Sequence, residues 1–373
     1  MVQTLLAFDS DALSADAKLG FDIGWDHARH GLPPPPEQWL DGNPLQQGSR
    51  AGKACFGGRT RSASPRARRW LALRLHAWLR GRAFELAEVT PHYLGQIDVA
   101  QCPITRQPLV AADASIDRVC DRAGYAAGNL AVMSDAANRA KGSLDFAAAQ
   151  ARARRAAEAP EGRIDGLDVA AWQRVATLIS FVTPLPHAQA ALLPLHVLPP
   201  NRLRVLNPVQ GLQALLTREF GRPDGTQRLR AFALLLNDEG QRGDFHRFVS
   251  ALLPRRLEAG AQAEGAALRH ALEDAWSDAL VNRCWQRFVL RLDEAAIERL
   301  LQRCATGALG AMHLLLHAPE RATEGWALDR EGRALADSPA LLPAPGRPVG
   351  PTPRDRARIT LFRTRTIDGH LPV

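Results

Sequence analysis

The chain has little lysine, few cysteines and no long apolar run. Lys18, Lys53 and Lys141 are its only lysines, so arginine supplies nearly all of its 47 basic residues. The five cysteines are scattered and odd in number, which argues against a disulfide framework and predicts a reducing compartment, the cytoplasm. No apolar run approaches the ~20 residues of a membrane-spanning helix, so we expect no membrane partner.

Several common active-site patterns are also missing. The sequence has neither a GxxxxGK[ST] phosphate loop nor a GxSxG nucleophile elbow. Its N-terminus lacks a basic stretch followed by a long apolar one, so a secretory signal is not expected. What remains is a net charge of +8 and a pI of about 9.9. This balance favours a polyanionic partner, although high arginine is also typical of chains encoded by GC-rich genomes.

The most specialised stretch runs from Cys102 to Phe146. Residues 114–119 alternate like a short strand, and 130–133 form a second apolar run. Residues 121–128 between them contain two glycines and predict a loop. Ser134 is placed to cap a helix that Gly142 ends. The stretch therefore predicts a β-hairpin followed by a helix.

Such a unit brings a strand residue, Asp117, and a helix residue, Asn138, to one point in space. Their side chains offer two oxygen donors, which suit a hard cation such as Mg²⁺. A cation at that point would polarise a phosphodiester and stabilise its leaving oxygen. Mg²⁺ is therefore the expected cofactor, with Mn²⁺ as the alternative.

The same stretch resembles the HNH endonuclease family over about 45 residues. The shared features are an Asp-Arg pair, a Gly-Tyr loop, a Gly-Asn-apolar strand and an Asn-x-x-Lys helix. They stand here as Asp117-Arg118, Gly124-Tyr125, Gly128-Asn129-Leu130 and Asn138 to Lys141. The resemblance implies a ββα-metal fold and single-metal hydrolysis of nucleic acid, DNA more than RNA. It makes Asp117 and Asn138 the metal ligands, and Asn129 the residue that holds the loop and helps to orient the base.

Two departures from the family bear on catalysis. Arg118 stands where the family usually has the histidine that acts as general base, and a guanidinium cannot accept a proton in a protein. Arg118 would instead bind the scissile phosphate, with Lys141 as a second electrostatic helper. The base would then be His92, His76 or a metal-bound hydroxide. The other departure is that Cys102 and Cys120 lack CxxC partners, so structural zinc is not expected.

A basic amphipathic helix precedes this unit. Pro65 suits its first turn, and the pattern extends to Arg80. One face is predicted to be apolar, and it carries Leu71, Leu75, Trp78 and Leu79. The other face is basic, which indicates either phosphate contacts or the solvated side of a packed helix. The candidate phosphate-binding residues of this helix are Arg66, Arg69 and Arg80.

The predicted fold class is α+β and mostly α-helical, with a small ββα unit followed by a larger all-helical domain. A break at Pro160 and Gly162 marks the expected boundary between the two. The predicted divisions are an irregular region at 1–58, the basic helix and connector at 59–95, the ββα unit at 96–150, the helical domain at 165–325 and a Pro/Arg-rich tail at 338–373. Within the tail, residues 358–364 are expected to form an edge strand.

Three functions remain open. The first is a metal-dependent endonuclease, with Asp117, Arg118, Asn129 and Asn138 as candidate catalytic residues. The second is a nucleic-acid-binding protein with a degenerate, inactive site, and it is favoured by arginine at position 118. The third is a helical scaffold in which the motif match is incidental. The sequence does not specify the oligomeric state.

Overall fold

Helices dominate the chain, as the sequence predicts. The computed structural model describes residues 14–36, 42–258, 260, 265–308, 314–335 and 358–361. Fourteen α-helices and seven short strands lie in these ranges, which confirms a mostly α-helical α+β chain. None of the helices in the described ranges is long and apolar enough to cross a membrane.

The helices are α1 (Ala15–Arg29), α2 (Pro44–Phe56), α3 (Pro65–Leu79), α4 (Pro91–Ile97), α5 (Asp135–Lys141), α6 (Phe146–Glu158), α7 (Val169–Phe181), α8 (His187–Ala191), α9 (Pro208–Phe220), α10 (Gly225–Ala233), α11 (Glu239–Glu258), α12 (Gly265–Asp274), α13 (Ala279–Val289) and α14 (Glu294–Arg303). The strands are β1 (Ala114–Arg118), β2 (Leu130–Ser134), β3 (Arg163–Ile164), β4 (Leu167–Asp168), β5 (Arg204–Val205), β6 (Leu314–His317) and β7 (Arg358–Leu361).

The described residues divide into two compact units that are interleaved along the chain. The first unit takes in the described residues of 1–96, 122–127 and 325–351, and the second takes in those of 97–121, 128–324 and 352–373. This division differs from the predicted sequential domains, because residues distant in sequence pack into the same unit. In particular, the hairpin β1–β2 and the helices after it lie in one unit, so the predicted boundary at Pro160 and Gly162 is wrong. Those residues instead lead into the small hairpin β3–β4, which joins α6 to α7.

The predicted irregular region at 1–58 is also wrong where the structure describes it. Helices α1 and α2 begin at side-chain caps, because Ser14 accepts from the nitrogen of Ala17 and Asn43 from that of Leu45. Glycine allows the two helices to approach closely. A Cβ at Gly24 would lie 1.9 Å from the carbonyl oxygen of Leu45. Gly24 therefore serves as a helix-packing position.

The basic helix is α3, and its buried face is wider than predicted. Leu71 and Leu75 are buried as expected, but Leu79 is exposed and Leu73 is buried. Arg74 is buried as well. Its charge is paired there, because its guanidinium lies 2.5 Å from the carboxylate of Asp26. Arg80, the predicted end, is the C-terminal cap residue. The helix is thus amphipathic, although one of its basic side chains belongs to the core.

The hairpin and helix at 114–142 form as the sequence predicts. Strands β1 and β2 pair antiparallel, with Ala114 opposite Ser134 and Arg118 opposite Leu130. All of β2 except Ser134 is buried, so it provides the apolar floor of the unit. Ser134 then caps α5, and Gly142 ends it with a φ of 48°. Helix α5 follows β2 without a loop, which fixes its position beside the hairpin.

The tail lies largely outside the described residues. Its described portion is β7, which pairs antiparallel with both β5 and β6. The strand is therefore central in a three-stranded sheet, and the predicted edge position is wrong. Its partners come from positions more than 40 residues upstream, and a local sequence pattern does not indicate them.

Candidate functional site

Strand β1 and helix α5 face each other through two polar pairs. Ser115 and Asp117 are two residues apart in the strand and share one of its faces. Asn138 and Lys141 are three apart in the helix and also share a face. The amide nitrogen of Asn138 donates to the Ser115 hydroxyl at 2.7 Å, and Nζ of Lys141 donates to Oδ1 of Asp117 at 3.1 Å. These two contacts, hereafter the polar ladder, hold the helix to the hairpin.

Lys141 is the most unusual member of the ladder, because its side chain is 0% exposed. Its ammonium has three donors and meets three oxygens. Besides Asp117, Nζ donates to the carbonyl oxygens of Arg118 at 3.0 Å and Gly142 at 3.3 Å. A buried charge is tolerated when it is paired and fully hydrogen-bonded, and Lys141 meets that requirement. Lys141 therefore holds the strand to the helix. It does not reach outward to a phosphate, which is the role that the sequence had suggested.

Asp117 is buried as well, with 6% of the residue exposed. Burial raises the pKa of its carboxyl to about 6, although the nearby Lys141 and Arg118 act in the opposite direction. Its second oxygen, Oδ2, also lies 3.1 Å from Lys141 Nζ, but it has no partner in hydrogen-bond geometry within the described ranges. One carboxylate oxygen at this position is therefore incompletely satisfied.

Arg118 pairs with Asp121, at the start of the loop. It donates to the side chain of Asp121 at 2.5 Å and to the carbonyl oxygen of the same residue at 3.0 Å. Only 12% of the Arg118 side chain is exposed. The pair joins the end of β1 to the start of the loop and neutralises the guanidinium. The predicted role of Arg118 at a phosphate would require this contact to open.

Asn129 holds the loop at its base and is fully buried. Its Oδ1 accepts from the nitrogen of Cys120 at 2.8 Å, and its Nδ2 donates to the carbonyl oxygen of the same residue at 3.1 Å. The nitrogen of Val119 donates to the Asn129 carbonyl oxygen, which extends the hairpin by one more pair. One amide side chain thus satisfies both backbone groups of Cys120 across the loop. This geometry agrees with the loop-holding role that the resemblance implied for Asn129.

Arg204 is a residue at the site that the sequence did not indicate. Its side chain lies over Gly128, where a Cβ would come within 2.2 Å of Cγ of Arg204. Gly128 has a φ of 84°, so both its conformation and the close approach require glycine. The buried guanidinium of Arg204 then donates to the carbonyl oxygens of Ala322 and Glu324. Arg204 therefore ties the loop base to the C-terminal part of the second unit, a contact that no local pattern predicts.

Cys102 lies beside the helix cap and is 1% exposed. Its sulfur accepts from the backbone nitrogens of Ser134 at 3.3 Å and Thr105 at 3.5 Å. Burial raises the pKa of the thiol, but the contacts with Ser134 and Thr105 outweigh it and lower the pKa overall. Cys102 thus joins the chain before the hairpin to the start of α5 through hydrogen bonds to sulfur.

The predicted metal ligands, Asp117 and Asn138, lie in the polar ladder. No group of three or more His, Cys, Asp or Glu side chains suited to a metal occurs in the described part of the chain. Asp117 is the only charged member of the proposed ligand pair, and the Lys141 ammonium already contacts both of its oxygens. A divalent cation bound there would have to displace that ammonium, because it already contacts both carboxylate oxygens and is too deeply buried for solvent to screen the repulsion between the two cations. As arranged, these residues do not fit the metal.

The remaining candidates belong to the first unit. Arg66 and Arg80 are exposed and Arg69 is half-buried. Arg66 lies against α4, where a Cβ at Gly95 would meet its Nε at 2.6 Å. Of the two candidate bases, His76 packs edge-on against Tyr125, and His92 lies 3.0 Å from the amide nitrogen of Gln96. The structure thus brings together Asp117, Lys141, Ser115 and Asn138, all in the second unit.

Comparison with known proteins adds no assignment. The chain matches no family model, no curated protein and no solved structure. The roles of the residues described above therefore rest on the geometry of this chain.

Proposed function

We propose that this protein binds nucleic acid and carries an HNH-like ββα unit held together by the polar ladder. The observation that carries the proposal is a stretch of charge of one sign. Residues 42–84, hereafter the basic segment, contain ten arginines and lysines and no aspartate or glutamate. Seven of these basic side chains are exposed, namely Arg50, Lys53, Arg59, Arg61, Arg66, Arg68 and Arg80. A phosphate backbone is the partner that best neutralises such a surface.

The loop between α2 and α3 concentrates part of this charge. The nitrogen of Arg61 donates to the carbonyl oxygen of Arg29 at 2.9 Å, so the loop lies against the end of α1. This contact gathers Arg29, Arg59 and Arg61, all exposed, on one surface. Within the same unit, Gly31 lies close to Thr60, because a Cβ at Gly31 would be 3.3 Å from the Thr60 hydroxyl. The loop therefore lies near the end of α1. A packed loop presents its arginines with less loss of conformational freedom on binding.

Binding is tested by fluorescence anisotropy with labelled duplex DNA, single-stranded DNA and RNA over a range of salt concentrations. The affinity of the wild type should fall steeply with salt, because bound cations release counterions from the phosphates. Arg59→Gln/Arg61→Gln should weaken binding to all three and reduce the slope of log K against log[salt] by about 2, roughly 1 for each contact removed. Arg230→Gln, an exposed arginine of α10, is the matched control. Wild-type binding that is insensitive to salt, or an unchanged slope in the double variant, would contradict the proposal.

A second candidate is metal-dependent endonuclease activity of the HNH type. It is favoured by Oδ2 of Asp117, which lies beside the Lys141 ammonium but has no partner in hydrogen-bond geometry among the described residues, so a metal would reach it only if that ammonium moved aside. Incubation with plasmid in Mg²⁺, Mn²⁺ or EDTA tests it, with Asp117→Ala as the paired variant. Nicking that needs the metal and disappears in the variant would establish this activity. Binding without nicking would leave the first proposal standing alone.

A further inference from the structure

A second cationic feature lies in the helical part of the second unit, around the buried carboxylate of Asp244. Asp244 is 1% exposed and sits near the start of α11. Three guanidinium groups contact it. Arg247 reaches Oδ1 at 2.5 Å and Arg287 reaches the same oxygen at 2.8 Å, while Nε of Arg291 donates to Oδ2. Arg247, Arg287 and Arg291 are hereafter the arginine cluster.

An aromatic core fixes the positions of these residues. Phe245 follows Asp244 in α11, and Phe288 follows Arg287 in α13. The two rings pack with their centroids 5.2 Å apart, and both residues are fully buried. Burial of such rings stabilises the packing of α11 against α13. This packing places the adjacent residues Asp244 and Arg287 close to each other. Two residues of the cluster, Arg247 and Arg287, therefore lie on packed helices, and Arg291 follows the end of α13 in a turn.

The charges of the cluster are unbalanced. One carboxylate neutralises one guanidinium, so three guanidiniums around Asp244 leave two positive charges in excess. Asp238 lies near Arg291, because a Cβ at Gly240 would come within 2.9 Å of Oδ2 of Asp238 and 3.5 Å of NH1 of Arg291. Even with Asp238 counted, the site carries a net positive charge. Oδ2 of Asp238 also accepts a hydrogen bond from the backbone nitrogen of Gln241 at 2.8 Å.

Asp244 itself stays ionised in this setting. Burial alone would raise the pKa of its carboxyl, but hydrogen bonds from Arg291 and Arg247 and the charge of Arg287 outweigh burial and hold the pKa below its ordinary value. The carboxylate thus acts as a fixed anchor. It draws three like charges together that would otherwise repel each other.

The outer edges of the guanidiniums remain available to a ligand. The side chains of Arg247, Arg287 and Arg291 are 59%, 60% and 48% exposed. Each guanidinium has five N–H donors and uses only part of them on Asp244. Arginine presents its donors as a planar fork that matches the oxygens of phosphate. Three such forks around one anchor make a set of donors with excess positive charge.

We propose that the arginine cluster is a binding site for a phosphate group, supplied either by a free phosphate dianion or by a nucleic-acid strand. Charge balance is the argument, because three guanidiniums against Asp244 and the nearby Asp238 leave a net positive charge that a phosphate anion compensates. If the cluster only neutralised Asp244, a single arginine would be sufficient. The proposal does not rest on the basic segment, which lies in the first unit and is tested by other variants.

The test compares Arg247→Gln/Arg287→Gln with wild type and with Arg283→Gln. The double variant keeps Arg291 on Asp244, so the buried carboxylate retains a cation and the fold is preserved. Arg283 is exposed on α13 and serves as the matched control. Binding of inorganic phosphate is measured by isothermal titration calorimetry at constant ionic strength set with chloride. A parallel titration uses one oligonucleotide with and without a 5′-phosphate.

Wild type and Arg283→Gln should bind phosphate alike, and the double variant should bind it on the order of tenfold more weakly or not at all. Circular dichroism spectra and melting curves establish that the double variant is folded. Loss of inorganic phosphate binding in the double variant with unchanged affinity for both oligonucleotides would identify the free anion as the source, whereas equal weakening of both oligonucleotides would identify the strand. No phosphate binding by wild type, or equal binding by the folded double variant, would overturn the proposal.

Discussion

Nζ of Lys141 lies 3.1 Å from Oδ1 of Asp117, and neither side chain is more than 7% exposed. The two residues come from different elements, a strand and a helix, so their ion pair fixes the angle between α5 and the hairpin. The neighbouring contact between Asn138 and Ser115 acts in the same direction. At the position where the motif predicts a bound metal cation, the ammonium of Lys141 contacts the carboxylate instead.

Removal of the ammonium alone should destabilise the protein strongly. Lys141→Met leaves the carboxylate of Asp117 buried without a counter-ion, which costs about 3–5 kcal/mol. Lys141→Met/Asp117→Leu removes both charges and should recover most of this loss. Urea unfolding of the single and double variants gives the coupling energy between the two side chains.

Arg139→Met is the matched control for that comparison. Arg139 lies in the same helix, but its side chain is 75% exposed and pairs with Asp135 at the surface. Its replacement should change the free energy of unfolding by less than about 1 kcal/mol. Equal effects of the Lys141 and Arg139 variants would show that burial of Lys141 carries no energetic weight.

The pH dependence of stability should report on Asp117. Its folded-state pKa is raised to about 6 from an ordinary value of 3.8, so the folded chain binds this proton more tightly than the unfolded chain does. The resulting stabilisation, about 3 kcal/mol for such a shift, is fully present below pH 3.8 and is lost as the pH rises through 6. Asp117→Asn removes this dependence. Wild type minus variant, measured by urea unfolding between pH 4 and 7, should therefore decline with rising pH, and a flat difference would refute the assignment.

The sequence predicts the ββα unit well because its signals are local. Ser134 and Gly142 are standard cap residues, and the structure places the helix between them. The two strands lie within one residue of their predicted ends, since short alternating and apolar runs bounded by a glycine loop leave few alternatives. The loop-holding geometry of Asn129 also agrees with expectation.

Long-range features are where prediction fails. The sequence treats Lys141 as a surface charge, because lysine is seldom fully buried, and nothing local identifies Asp117 as its partner. Likewise, nothing in the local sequence indicates that Gly24 packs against the backbone of α2. The interleaved units have the same cause, since residues 122–127 pack with segments far away in sequence.

Loss of the Asn129 side chain should cost more than loss of Asn138. Asn129→Ala removes two hydrogen bonds to the backbone of Cys120 that a fully buried side chain makes, which costs about 3 kcal/mol. Asn138→Ala removes one contact, to the Ser115 hydroxyl, at a half-buried position, and about 1 kcal/mol is expected. Thermal or urea unfolding of the two variants checks the order. A larger effect at Asn138 would mean that it has a further role, such as holding a ligand.

Removal of divalent metal should leave wild-type stability unchanged, because the Lys141 ammonium occupies the carboxylate of Asp117. A cation that bound only the folded state would raise the free energy of unfolding, by about 2.7 kcal/mol at one hundred times its dissociation constant. Lys141→Met removes the competing charge, so its melting temperature should rise when Mg²⁺ replaces EDTA. Lys141→Met/Asp117→Leu lacks the carboxylate and should show no rise. If wild type were instead stabilised by Mg²⁺, the ammonium would have to yield to the metal, and the endonuclease would become the favoured function.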